Sequence, residues 1–130
     1  MRYHLDTTFL IDWRRGIFRD PDLRMEIVSG LHTVSIDPIV HTEYFAARRV
    51  NRDKEAVFTS IMVFANLLAL TEDSCRLAAG WLGRLDRDSK RRHFNDALIA
   101  AVAVVEDAVL VTADKRIARV FPVTVFDYRR

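Results

Sequence analysis

Apolar positions along this chain fall into short runs separated by longer stretches with helical spacing, the pattern of an α/β fold built on a parallel sheet. Arg2–Asp6 predicts a first strand, and Thr7–Arg15 predicts the helix that follows it. Asp20-Pro21 is a helix start, with Asp as cap and Pro in the first turn, and Gly30 can close that helix. His32–Ile36 reads as a second strand. Asp37-Pro38 repeats the start signal for a helix running to about Arg49, and a further helix covers roughly Asp53–Ala65. Leu67–Leu70 predicts a short strand, and Thr71 caps a helix to about Leu85. Arg87–His93 is charged and lacks apolar periodicity, which predicts a loop. Asn95 caps a helix through Glu106 that is apolar nearly all round and must therefore be buried on most sides. Val109–Thr112 is a strand, followed by a short turn of helix and a last strand at Val123–Phe126.

At 130 residues, half of them hydrophobic, the chain is expected to be one globular domain, residues 1–130. No apolar run is long enough to span a bilayer. Asp6 and Asp12 interrupt the N-terminal apolar stretch, which argues against a signal peptide. The single cysteine, Cys75, cannot form an internal disulfide and leaves no thiolate zinc site; it fits a reducing, cytoplasmic setting. A net charge of +2 does not by itself announce a nucleic-acid binder. Seventeen of the 20 basic residues are arginine, several of them paired: Arg14-Arg15, Arg48-Arg49, Arg91-Arg92 and Arg129-Arg130. Guanidinium forks grip phosphate bidentately, so such pairs suit a polynucleotide backbone, although solvated helix faces carry the same residues.

Four acids concentrate the chemistry. Asp6 lies where the first strand hands over to a helix, and Asp114 lies just past a later strand. Ligands of open parallel sheets bind outside the carboxyl ends of the strands. Taken singly, Asp6 also suits a helix cap and Asp114 a turn. Glu43 shares a helix face with Ile39, Ala46, Ala47 and Val50, where a carboxylate is costly unless paired or bound to a cation. Asp96 opens the most apolar helix, where the helix dipole also favours it. Acids gathered at one edge call for a hard divalent cation such as Mg2+ or Mn2+. The chain has neither a Ser/His/Asp arrangement nor a glycine-rich phosphate loop to compete, and His4, His32, His41 and His93 lack zinc spacing.

The motifs Leu5-Asp6-Thr7-Thr8-Phe9-Leu10-Ile11-Asp12, Thr42-Glu43-Tyr44-Phe45, Asn95-Asp96-Ala97-Leu98-Ile99-Ala100-Ala101 and Val111-Thr112-Ala113-Asp114 resemble, in order and spacing, those of the PIN-domain family. Within it, the resemblance is to the VapC-type toxins of prokaryotic toxin–antitoxin pairs, and it covers essentially the whole chain. It implies a three-layer α/β/α sandwich with a mainly parallel central sheet. It also implies an endoribonuclease using Mg2+ or Mn2+, with Asp6, Glu43, Asp96 and Asp114 as catalytic metal ligands. Thr112 matches a hydroxyl position beside the site, suited to orienting water or a ligand. Many relatives carry a further acid two or three residues past the last aspartate. This chain has Arg116 and Ile117 there, a departure that bears on a second metal ion and not on the first.

The resemblance further implies a VapB-like antitoxin partner and a homodimer. The apolar surplus of Ala56–Ala65 is the expected dimer contact. Phe9 and Trp13, one helical turn apart, are expected to form a groove for an apolar antitoxin helix. Lys90, Arg91 and Arg92, with Lys115 and Arg116, flank the acids and are expected to contact RNA phosphates. A housekeeping PIN nuclease acting in RNA processing or on structured DNA is the alternative enzyme, and an inactive PIN-like interaction module the alternative from another class.

Overall fold

The computed structural model describes residues 1–47 and 53–129. Arg48-Arg49, Val50 and Arg130 lie outside the described residues, and with them the expected end of the third helix. Five parallel strands form one sheet: β1 (Arg2–Leu5), β2 (Thr33–Ile36), β3 (Ala65–Leu67), β4 (Val109–Val111) and β5 (Val125–Phe126), in the order β3-β2-β1-β4-β5. Eight helices among the described residues connect and flank them: α1 (Thr7–Arg15), α2 (Pro21–Val28), α3 (Pro38–Ala46), α4 (Lys54–Met62), α5 (Glu72–Leu82), α6 (Arg87–Arg92), α7 (Phe94–Val105) and α8 (Arg116–Val120). This is the expected α/β/α architecture. The chain first winds outward from β1 to β3, then returns to place β4 on the other side of β1. That reversal opens a crevice at the carboxyl ends of β1 and β4.

Local chemistry sets the helix ends. Asp20 and Asp37 each precede a proline and cap the next helix: Asp20 accepts from the Asp22 N–H, and Asp37 from those of Ile39 and Val40. Thr71 and Ser74 form a reciprocal capping box on α5. Gly16 closes α1 at φ 65°, and Gly30 follows α2 at φ 81°, both conformations that glycine adopts without strain.

Two element expectations are corrected. Arg87–His93 is not a loop, because Arg87–Arg92 forms α6. Its start comes from the Asp86 carboxylate, which accepts from the Ser89 N–H and hydroxyl, and it buries no residue, so apolar periodicity could not reveal it. The third strand lies at Ala65–Leu67 rather than Leu67–Leu70. Ala65 pairs with Val34 and is buried, whereas Leu67 lies on an outer strand and is 50% exposed.

α7 behaves as its composition requires: Ala97, Ile99, Ala100, Ala101, Val102 and Ala103 are all buried. It packs on β1, β4, α3 and α5. Two polar clusters lie within the core. His4 and Asp37, both fully buried, meet at 2.6 Å, and His4 also contacts Ser35 at 2.8 Å. Asp12 is fully buried and accepts from the Tyr128 hydroxyl at 2.6 Å and from Arg129 Nε at 2.7 Å, tying the C-terminal segment to α1. Arg129 is thereby engaged within the fold, as is Arg14 by its 2.7 Å ion pair with Asp53.

Phe9 is fully buried and Trp13 is 5% exposed, so they are core residues and not the walls of an open groove. Phe9 packs against Trp13, Phe18 and Tyr128, and Trp13 against Phe18 and Phe64 with the Arg24 guanidinium over its ring. The turn of helix that puts the two side chains on one face points that face inward.

Candidate active site

The crevice between β1 and β4 is built first from Asp6 and Thr112. Leu5 pairs with Val111, so the next residue of each strand end falls side by side. The Thr112 hydroxyl, fully buried, donates to Asp6 Oδ2 at 2.5 Å. The Thr7 N–H donates to the other oxygen at 2.8 Å, which also makes Asp6 the cap of α1. Thr112 Oγ1 in turn accepts from the Asp114 N–H at 3.0 Å. One hydroxyl thus links two of the acids. Replacing Thr112 by valine preserves shape but strands two buried polar groups. It is expected to destabilise the fold by about 1–3 kcal/mol in urea unfolding, and unaltered stability would contradict the role given to this hydroxyl.

Glu43 projects from α3 toward the same crevice. The Thr7 hydroxyl donates to its Oε1 at 2.7 Å, and Asn95 Nδ2 donates to its Oε2 at 3.3 Å. Asp96 stands in the first turn of α7, with Oδ2 3.7 Å from His93 Nδ1. Asp114 receives the Arg116 side chain through both oxygens.

Burial and neighbouring charge act differently on these acids. Burial is the main cause that pushes the Asp6 carboxyl up to about 6, and the charges of Asp96 and Glu43 add to it against the bonds from Thr112 and Thr7. Asp96 is also raised, first by burial and then by Asp114 and Glu43. Asp114 moves the other way, held below the usual carboxylate range chiefly by its hydrogen bond from Arg116. The charges of Glu43 and Asp96 thus reach Asp6, and those of Glu43 and Asp114 reach Asp96; the donors are all oxygen, which fits a hard divalent cation. As the side chains stand, no three His, Cys, Asp or Glu among the described residues form a group ready to hold an ion. Glu43 is engaged by Thr7 and Asn95, and a cation shared by Asp6, Glu43 and Asp96 would have to draw it from those partners.

Reading the sequence found all four acids and Thr112, but passed over three neighbours. Thr7 reads only as the first residue of a helix and Asn95 as a cap, yet their side chains orient Glu43. His93 looked structural or superficial, yet it faces both Asp96 and Asp114. Adjacency to an acid within a motif was the available signal for Thr7 and Asn95, and the three-residue spacing to Asp96 was the signal for His93. Lys90, Arg91 and Arg92 are exposed on α6, immediately before α7, and Lys115 and Arg116 are exposed beyond Asp114. The expected contact region 56–65 is mixed: Ile61 is fully buried, while Val63 is 83% exposed.

Known proteins resemble this chain along nearly its whole length. Ribonuclease VapC19 of Mycobacterium tuberculosis is 32% identical over 121 residues, which cover 91% of this chain and 93% of that protein. Among solved structures, VapBC-1 from nontypeable Haemophilus influenzae matches with a TM-score of 0.75 and 24% identity over 100% of both chains. DNA-bound VapBC from Salmonella typhimurium matches with a TM-score of 0.76 and 18% identity over 98% of each. The PIN domain family model matches residues 3–121, a span that holds Asp6, Glu43, Asp96, Thr112 and Asp114, and this chain belongs to the PIN-domain family.

Proposed function

We propose that the chain is a divalent-metal-dependent endoribonuclease, the toxin of a toxin–antitoxin pair, which hydrolyses RNA phosphodiester bonds at its acidic crevice. The observation that carries this reading is the placing of acids about the reversal point of the sheet, with Thr112 Oγ1 bonded to both Asp6 and the Asp114 N–H, and Glu43 held by Thr7 and Asn95. It is supported by the identity to a named ribonuclease along nearly the whole chain.

Asp6, Glu43 and Asp96 are the residues to hold Mg2+ or Mn2+, with Asp114 closing the far side of the cluster. A bound divalent ion supplies charge neutralisation at the phosphodiester and makes water easier to deprotonate. The protein's part is orientation. Thr112 and the Thr7 N–H fix the Asp6 carboxylate, and Thr7 Oγ1 and Asn95 fix that of Glu43. Purified chain should cut single-stranded RNA in Mg2+ or Mn2+ and stop in EDTA, and Asp96→Asn should be inactive in either metal. Cleavage that persists in EDTA would refute the reading.

Substrate binding falls to the basic residues beside the acids. Lys90, Arg91, Arg92 and Lys115 carry the phosphate contacts, with Arg116 reaching phosphate when not held by Asp114. If Arg91 and Arg92 each meet one phosphate, their double alanine variant lowers the slope of log K against log salt by about 1.4 for a single strand. Equal slopes in wild type and variant would assign the pair to solvent.

The partner is a VapB-like antitoxin, in keeping with the solved relatives that are VapBC complexes. Since Phe9 and Trp13 lie in the core, that partner docks elsewhere. No helix among the described residues is long and apolar enough to cross a membrane, and the proposed place of action is the cytoplasm. The proposed assembly is a homodimer; sedimentation should give twice the chain mass at micromolar concentration, and a monomer there would reject it.

A further inference from the structure

Asp114 stands apart from the other three acids in how its charge is met. Its Oδ1 accepts from both the Arg116 backbone N–H at 2.9 Å and the Arg116 Nε at 3.1 Å. Its Oδ2 accepts from Arg116 Nη2 at 3.1 Å. A carboxylate oxygen accepts through about two lone pairs, so Oδ1 is filled and Oδ2 is half used. Asp6, Glu43 and Asp96, by contrast, have no arginine or lysine on their carboxylates among the described contacts.

The two-residue spacing makes this contact self-contained. Asp114 Oδ1 first closes a turn onto the Arg116 N–H, and that turn brings the guanidinium back over the same carboxylate. The paired Nε and Nη2 bonds are the bidentate geometry that arginine forms and lysine cannot. The Arg116 charge also acts on Asp96, though less than on Asp114.

We infer that Arg116 is the resident cation of the Asp114 end of the site, holding that carboxylate out of metal coordination so that each chain takes one divalent ion, at Asp6, Glu43 and Asp96, instead of two. Arg116 thereby supplies a positive charge directly on the Asp114 carboxylate. This rests on the metal-dependent reading given above.

Electron paramagnetic resonance of free Mn2+ during titration, without RNA, counts the ions bound per chain. Wild type should saturate at one. Arg116→Gln, which removes the fork and the charge, should saturate at two. Lys115→Gln, which removes an adjacent charge without touching Asp114, should stay at one. Two ions on wild type, or one ion at wild-type affinity on Arg116→Gln, would overturn the role of Arg116 while leaving the metal site intact. Two ions on Lys115→Gln would also overturn it, since loss of any nearby charge would then suffice. No Mn2+ bound by any of the three would remove the metal-dependent reading itself, and this inference with it.

Discussion

Replacing Asp6 by asparagine will make the metal-free protein more stable at neutral pH while ending its RNA cleavage. Burial, with the charges of Asp96 and Glu43 behind it, raises the Asp6 carboxyl from 3.8 to about 6. The folded state therefore binds this proton more tightly than the unfolded chain does. The stabilisation from that proton is complete below about pH 4 and is lost as pH rises through about 6. At pH 7.5, holding Asp6 ionised in the fold costs about 3 kcal/mol, since each tenfold change in proton affinity is worth roughly 1.4 kcal/mol. Asparagine removes most of that cost, since its carbonyl still accepts from the Thr7 N–H and its amide can donate to Thr112 Oγ1. Urea unfolding in EDTA should show the variant more stable at pH 7.5, with the gap shrinking toward pH 4.5. Mn2+ should then favour wild type, because only the native carboxylate binds it well. Cleavage should fall by more than the roughly 10–100-fold typical of residues that only support a metal ligand. A variant no more stable than wild type in EDTA at pH 7.5 would show that the carboxylate is not under this strain.

His4→Leu should be among the most damaging single changes away from the acids. His4 is the shared partner of Ser35, its neighbour on β2, and of Asp37, which follows β2 at the start of α3, and all three are buried. Leucine fills the volume but offers no hydrogen bond, leaving the Asp37 Oδ2 without its partner inside the core. Stripping one member from a buried ionisable pair costs about 3–5 kcal/mol, a large share of the 5–15 kcal/mol that holds a typical domain. Asp37 also caps α3, the helix that carries Glu43, so the damage passes to the site. The expected result is a midpoint in urea shifted far down and weaker Mn2+ binding by the folded fraction. A loss below about 1 kcal/mol would mean that the pair is not a structural anchor.

The contrast between these two positions shows what could be read from residue order alone. Glu43 was legible because it breaks a local rule, an acid on an apolar face; Asp6, Asp96 and Asp114 each suit a cap, a helix start or a turn, and stood out by their places at strand and helix ends and by the motifs that hold them. The strands β1, β2 and β4 and the capped helices were legible because Asp-Pro, Thr and Gly punctuate them. His4 was not, since a histidine in so short a strand carries no periodic signal, and its partners come from β2 and the turn beyond it. α6 escaped because a side-chain cap holds it and no apolar face does. The β3 boundary slipped because the leucines at 67 and 68 looked like core, whereas Ala65 takes the inward place and Leu67 faces outward on an outer strand. Phe9 and Trp13 were correctly placed on one face of α1, but spacing alone does not say whether that face meets solvent or the sheet.

The claim on which the rest depends is that Asp6, Glu43 and Asp96 converge on a divalent cation. Anomalous diffraction from crystals grown in Mn2+ tests it most directly. The account predicts one strong peak per chain, with carboxylate oxygens of those three residues about 2.0–2.2 Å away, near the distances of Mg2+ ligation, and the Arg116 guanidinium still seated on Asp114. Full occupancy elsewhere on the chain, with no peak among the three acids at saturating Mn2+, would contradict it.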